Sequence, residues 1–453
     1  MISIKRIIIL SVSVLVLLII PFFVLTTKKD EAKVIQDQEF IPTGGYEHVN
    51  KTLTLTNNED NFLINDNLVP EEIRVKPKTA LYVKVINNSQ YETSIHFHGI
   101  NSNSNMDGVG GITQNNIKPG ESFTYAFNLD DEGTYMYHAH VDSLDQVNND
   151  NLYGGLVVES TTQPNSDMLI YNTNVEDINQ HHSANQTFDQ VLVNAQEKQS
   201  LYLNNDQDLY LNIVNLASTP LSINFGKDIE YKILSIDAND AISDWQVNNS
   251  VIVPTAQRFI VQIKNPKHSF QISTSLKTKD NAVYNVYYKN DKDIQTQDFS
   301  GQVSGSMMSN VEYEDVADDS KVDKRFDMSL DMNMGMWTIN DKAFPKTKTV
   351  NVDEGDVVEI TLSNNSHMAE THPFHLHGHK FQVVKVNGQE LNKILVLDTI
   401  DVIPGNTVTI RFNADNPGIW AFHCHNLVHA KLGMMTTLNY NGYTTNVESS
   451  VSE

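Results

Sequence analysis

A single cysteine, Cys424, stands in 453 residues. No disulfide can form within the chain, so its stability must come from ordinary apolar cores rather than from cross-links. Positive charge is also scarce. There are 32 Lys and Arg against 56 Asp and Glu, for a formal net charge of −24. Such a surface repels nucleic-acid phosphate and suits small cationic substrates, and it equally keeps an exported chain soluble. No nucleic-acid partner is expected. Long amphipathic helical patterns are missing too. Short alternating runs take their place, such as residues 81–86 (LYVKVI) and 357–362 (VVEITL), separated by Asn, Asp, Gly and Pro clusters. That is the pattern of all-β sandwich modules.

One long apolar run does occur, residues 7–25, preceded by Lys5 and Arg6. As a hydrophobic helix it spans about 28 Å, close to the hydrocarbon core of a bilayer. Thr26, Thr27, Lys28 and Lys29 follow, and no small-residue cleavage site is visible. An uncleaved membrane anchor is expected, with a cleaved signal as the alternative. Either way the rest of the chain is exported, held at the outer face of the membrane or secreted.

An internal repeat sets the domain plan. Residues 119–140 (PGESFTYAFNLDDEGTYMYHAH) and 404–425 (PGNTVTIRFNADNPGIWAFHCH) match at Pro119/Pro404, Phe127/Phe412, His138/His423 and His140/His425. Upstream, NNSQYETSIHFHG (87–99) mirrors NNSHMAETHPFHLHG (364–378). The first and last modules therefore share one design. VPTAQRFIVQI (253–263) echoes it in the middle, where paired histidines are lacking. The expected division is an anchor or signal over 1–27, a polar tether over 28–44, and a first module over 45–160. A middle module over 161–300, a linker over 301–325, a last module over 326–442 and a tail over 443–453 follow. The chain is expected to act as a monomer.

Four His-x-His pairs occur: His96/His98, His138/His140, His375/His377 and His423/His425. On a strand, residues i and i+2 share a face, so each pair offers two imidazoles to one spot. Eight imidazoles are too many for one metal and suit a cluster between the two modules. Cys424 lies between His423 and His425, with His429 five residues on and Met434 ten residues on. Two imidazoles, a thiolate and a weak axial thioether make a blue-copper site. Where the first module has Thr93 and Ala139, the last has His372 and Cys424. Only the last module can therefore complete such a site, from His372, Cys424, His429 and Met434.

With HFHG (96–99), HAH (138–140), HPFHLHGH (372–379) and HCHNLVHAKLGM (423–434) all present, the chain resembles the three-domain multicopper oxidases. That group includes bacterial laccases and copper-efflux cuprous oxidases, and the resemblance covers roughly residues 45–440. It implies three cupredoxin-like Greek-key β-sandwiches and four copper ions. By that resemblance His96 and His375 bind a type 2 copper, and His98, His138, His140, His377, His423 and His425 bind a type 3 pair. A type 1 copper takes His372, Cys424 and His429, with Met434 axial. It also implies one-electron oxidation of a reductant coupled to reduction of O2 to water. Asp107, in NMDGVGGITQ (105–114), is expected to donate protons, with a turn-forming Asp before Gly108 as the alternative. Many bacterial relatives carry a Glu beside the last histidine ligand, where this chain has Val428 and Ala430.

The reductant is read from methionines. Met332, Met334 and Met336 lie in MSLDMNMGM (328–336), and Met368 and Glu370 precede His372. Thioether sulfur is soft and favours Cu(I). Cu(I) oxidation in copper tolerance is expected, with a laccase-type phenol oxidase or a ferroxidase as the alternative. His48, His181, His182, His268, His367 and His379 are expected to be surface or structural residues.

Overall fold

The computed structural model describes residues 32–58, 62–140, 152–160, 166–174, 190–203, 206–241, 243–247, 250–275, 283–289, 293–294, 321–367, 370–391 and 394–448. The apolar run 7–25, His181, His182, Met368 and residues 301–320 of the expected linker lie outside them. Among the described residues no helix is long and apolar enough to cross a membrane.

The chain is β-structured, and its large sheets fall into three pairs that repeat one topology. In the first module Glu47–Asn57 runs parallel to Thr79–Asn87, and Glu72–Val75 runs parallel to Tyr153–Val158. In the middle, Asp167–Asn174 is parallel to Leu209–Asn215, and Lys198–Leu203 to Val283–Tyr288. In the last, Lys324–Asn333 is parallel to Val357–Asn364, and Val350–Val352 to Met435–Tyr440. The remaining pairings within these sheets are antiparallel. A sandwich with one parallel pair in each sheet needs crossing rather than hairpin connections, as in Greek-key folds.

Alternation drives these strands. Val357–Asn364 buries Val358, Ile360 and Leu362 and turns the intervening residues outward, so one face seals against the partner sheet. The strands that carry histidine pairs behave differently. Gly133–Ala139 and Ile419–Cys424 are buried along their whole length, on both faces. One face meets its own module's core and the other meets the neighbouring module.

Two expectations need correction. The segment read as a loose tether is tied down from Lys33 onward. Lys33–Val34 pairs in parallel with Tyr443–Thr444, in the segment read as a tail. Ile35 is fully buried among Val109, Ile112, Ile419, Ala421 and Met435. One apolar side chain in a polar stretch is enough to seat it across the first and last modules. The expected linker also ends early, because Lys324 and Arg325 already belong to a strand.

Candidate metal centres

The two histidine-bearing strand pairs have matching registers. Ile95–His98 lies antiparallel to Gly133–Ala139 with His96 opposite His138. His372–Leu376 lies antiparallel to Ile419–Cys424 with His375 opposite His423 and Phe374 opposite Cys424. The two modules then meet with a crosswise correspondence. His96 stacks near His377 at 3.9 Å between ring centroids, and His98 on His375 at 3.7 Å. The Nε2 atoms of His138 and His425 lie 3.2 Å apart, as do those of His140 and His423. In every case the first histidine of one pair meets the second of a pair in the other module. This is an approximate two-fold relation generated by the repeat. All eight imidazoles thus share one space, and all but half-buried His140 are buried.

Their outer nitrogens are held. His96 Nδ1 donates to the Asp107 carbonyl at 2.7 Å, and His375 Nδ1 to the Asp398 carbonyl at 2.8 Å. His377 Nδ1 donates to Asp107 Oδ2 at 2.9 Å. His138 and His423 donate Nδ1–H to the carbonyls of Ala139 and Cys424, both at 2.9 Å. His98 is reversed: its Nε2 donates to Asp398 Oδ1 at 3.0 Å. The inner nitrogens have no such partners. His96 Nε2, His98 Nδ1 and His375 Nε2 are buried without a hydrogen-bond partner, and His377 Nε2 faces His423 Nε2 at 2.9 Å.

Burial, with further lowering by neighbouring imidazoles, brings His138 down to about 3, and His98, His140, His375, His377 and His425 well below the usual value. His423 falls to about 4, again chiefly through burial. These rings are therefore neutral, with converging lone pairs that repel one another unless a cation lies between them. Neutral imidazoles held by carbonyls and carboxylates are the donor set a metal cluster requires, and the residues fit copper.

The second group is mononuclear. His372, Cys424 and His429 offer ligand atoms within 4.8 Å of one another. Cys424 Sγ lies 3.8 Å from His372 Nδ1 and 3.6 Å from His429 Nδ1, and those nitrogens are 3.1 Å apart. Burial holds the thiol proton well above its usual range, so a bound metal must displace it. His429 rides on the short helix Leu427–Lys431, whose Asn426 cap accepts from the backbone N–H groups of Val428 and His429. Met434 is fully buried, and its carbonyl accepts from the Cys424 N–H at 3.0 Å. The Trp337 ring covers His429 at 4.0 Å. On the outer side, His429 Nε2 donates to Glu370 Oε2 at 2.6 Å, and burial pushes the Glu370 carboxyl up to about 7.

The other expected residues divide. Met332 is half-buried against the core and pairs in register with Trp337. Met334, 99 % exposed, and Met336, 40 % exposed, form the tip of the same hairpin. His379 is buried and structural: its Nδ1 donates to the His377 carbonyl, and the Tyr440 hydroxyl donates to its Nε2. His48 stacks on Tyr82, and His367 is exposed. Sequence reasoning missed Asp398, Arg258 and Trp337. Each is a lone residue with no ligand spacing around it, so no pattern pointed to them.

Cys424 and its two neighbours join the two groups through a few covalent bonds. Alternation sends the sulfur to the mononuclear group and the imidazoles of His423 and His425 to the cluster. Comparison with known proteins agrees with this arrangement. Two family models, both described as Multicopper oxidase, match residues 47–163 and 318–442, together more than half of the chain. The iron transport multicopper oxidase FET3 of Kluyveromyces lactis is 26 % identical, over 81 % of this chain and 70 % of its own length. The multicopper oxidase MmcO of Mycobacterium tuberculosis is 26 % identical, over 81 % of each chain. The crystal structure of Fet3p, a multicopper oxidase that functions in iron import, superposes with a TM-score of 0.76 at 22 % identity, covering 90 % of this chain and 93 % of the other. With both metal groups assembled by its own repeat, the chain belongs to the multicopper oxidases, copper-dependent oxidoreductases that use O2 as acceptor.

Proposed function

We propose that the chain oxidises a small metal cation, Cu(I), at the outer edge of His429. The observation that carries this is the setting of His429 itself. Its Nε2 is bonded to Glu370, and the ring lies under Trp337, whose strand partner is Met332. A carboxylate thus borders that imidazole edge, and the hairpin of Met332, Met334 and Met336 carries the tryptophan that covers the ring, offering charge and soft sulfur to a cuprous ion. The strongly acidic surface concentrates cations there.

In this reading His372, Cys424, His429 and axial Met434 hold type 1 copper. His96 and His375 hold type 2, and His98, His138, His140, His377, His423 and His425 hold the type 3 pair. When bound, the four coppers supply the one-electron steps that join oxidation of the reductant to reduction of O2 to water. The protein does the rest. Carbonyls and carboxylates fix each ring, burial excludes water from the cluster, and Asp107 accepts from His377 Nδ1 at the cluster's edge, where it would relay protons. The three-module division remains part of this reading, with the last module begun at Lys324 and the segment from Lys33 packed on the first and last modules, supported by the three sheet pairs. So do a monomeric chain and export with the 1–27 segment as anchor.

Steady-state oxidation of Cu(I), Fe(II) and a phenol by the Met332→Leu/Met334→Leu/Met336→Leu variant is the test. KM for Cu(I) should rise about tenfold, or roughly 1.4 kcal/mol, with phenol kinetics unchanged. Unchanged Cu(I) kinetics would reject cuprous specificity. Fe(II) is the second reading, favoured by the oxygen donor of Glu370 and by the iron-transport names of relatives. In that case Glu370→Gln, and not the methionine variant, should impair Fe(II) oxidation.

A further inference from the structure

The middle module contributes none of the clustered histidines, yet one of its side chains reaches a carboxylate that holds one of them. Arg258 opens the strand Arg258–Ile263 and is buried. Its Nη1 donates to Asp398 Oδ1 at 2.8 Å and its Nη2 to Asp398 Oδ2 at 2.6 Å. Nε reaches the Thr134 carbonyl of the first module at 3.3 Å. Asp237, also buried, steadies the arginine from behind, accepting from the Arg258 N–H at 3.0 Å and lying 3.1 Å from Nη1. A neighbouring side chain, Gln257, donates to the Thr399 carbonyl at 2.9 Å.

Asp398 faces the cluster with what remains. Its Oδ1 accepts from His98 Nε2 at 3.0 Å and from the Thr399 hydroxyl at 3.0 Å, and its carbonyl accepts from His375 Nδ1. His98 is the ring that presents Nδ1 rather than Nε2 inward. That choice depends on an acceptor standing in line with Nε2–H. A carboxylate held at one oxygen can swing about its Cβ–Cγ bond, whereas one held at both by a planar guanidinium cannot. Space for the fork comes from Gly99, next to His98. With φ at +86°, a Cβ there would lie 2.3 Å from Arg258 Nη2 and 3.1 Å from Asp398 Oδ2.

We propose that Arg258 is a positioning residue for the trinuclear cluster, acting through Asp398 to fix the ring orientation of His98 from the module that has no ligands of its own. This rests on the copper assignment above. It explains why a ligand-free sandwich is wedged between the two that bind metal. Its buried arginine ties Thr134 of the first module to Asp398 of the last, beside the histidines that both supply.

The test compares the full-length, copper-loaded chain with Arg258→Met, Arg258→Lys and Asp398→Asn. It reads copper per chain, the blue absorption, and electron paramagnetic resonance, in which a coupled type 3 pair is silent and a type 2 copper is not. Both Arg258 variants should keep the blue band while copper per chain falls below four or a new signal appears from an uncoupled type 3 copper, with turnover down roughly 10- to 100-fold. Lysine should not rescue, because it offers a point charge in place of a fork. Asp398→Asn should reproduce the type 3 change, and the double variant should add little to either single one. Four coppers with a type 3 pair as silent as the native one in an Arg258 variant would overturn the proposal. So would failure of both Arg258 variants to fold, or loss of blue band and cluster together, since each makes the role structural. A native chain without any type 2 signal would instead overturn the copper assignment beneath it.

Discussion

Cys424→Ser is expected to give a colourless protein that has lost its oxidase turnover roughly 10³-fold or more, equivalent to about 4 kcal/mol or more of barrier. Serine matches cysteine in shape, so the fully buried site beside Phe374 should still pack. What disappears is the thiolate, the ligand that selects copper over harder cations and gives the blue colour. Three further consequences follow from the geometry. His423 and His425 keep their carbonyl and cross-module contacts, so the cluster should still load and copper per chain should fall from four to three. The bonded path from sulfur through the backbone to the two flanking imidazoles is broken, so the reductant can no longer reach O2 by it. Stability should change little, because a serine hydroxyl still offers a polar partner to His372 Nδ1 and His429 Nδ1, the two contacts of the sulfur. Metal analysis, oxygen uptake and thermal unfolding check the three in turn, and visible absorption checks the colour. A serine variant that stays blue and active would remove Cys424 from the centre of the protein.

Asp107→Asn should lower kcat between about 10²- and 10⁴-fold, the range of a lost proton donor, while copper content stays at four. The structure makes this substitution unusually clean. Asp107 follows the 3-10 turn Ser104–Met106 in a right-handed helical conformation, and Gly108 takes the positive φ of +85°. A Cβ at Gly108 would meet the Ile95 carbonyl oxygen at 1.8 Å. The demanding turn position is thus Gly108, and asparagine serves position 107 of such a turn as well as aspartate does. An amide oxygen can also still accept from His377 Nδ1. The acid–base function is removed, and one of the two acceptor oxygens becomes an amide donor. The expected signature is slowed turnover with full copper loading, and partial recovery in Asp107→Glu. If the rate and its pH profile match those of the native chain, Asp107 is a turn residue only. The question has weight here because Val428 and Ala430 flank His429, so no glutamate stands there. Asp107 and Asp398 are the carboxylates that the structure sets against the cluster histidines.

Much of this site was legible before any coordinates because its ligands are local. Residues two apart on a strand share a face, so each His-x-His pair announced its own geometry, and a repeat carrying two pairs in each copy implied that the copies meet. Cys424 was legible for the same reason: alternation alone puts its sulfur opposite the imidazoles of its neighbours. The crosswise pairing of His96 with His377 and of His98 with His375 was not legible. It depends on how two separately folded sandwiches dock.

The amino-acid order by itself determined the histidine pairs with their cysteine, the kind of metal and the two-group plan, since these follow from residue type and short-range spacing. Tertiary structure alone decided which nitrogen each imidazole turns inward, because that is set by acceptors far along the chain. Asp398 lies 300 residues from His98, and Arg258 lies 140 residues from Asp398. It also decided that Ile35 and Tyr443 strap residues 33–35 and 443–444 to the metal-binding modules, and that Glu370 and Trp337 flank one imidazole. Contacts between single residues distant in sequence leave no periodic trace. They exist only once the apolar faces of three sandwiches have been buried against one another.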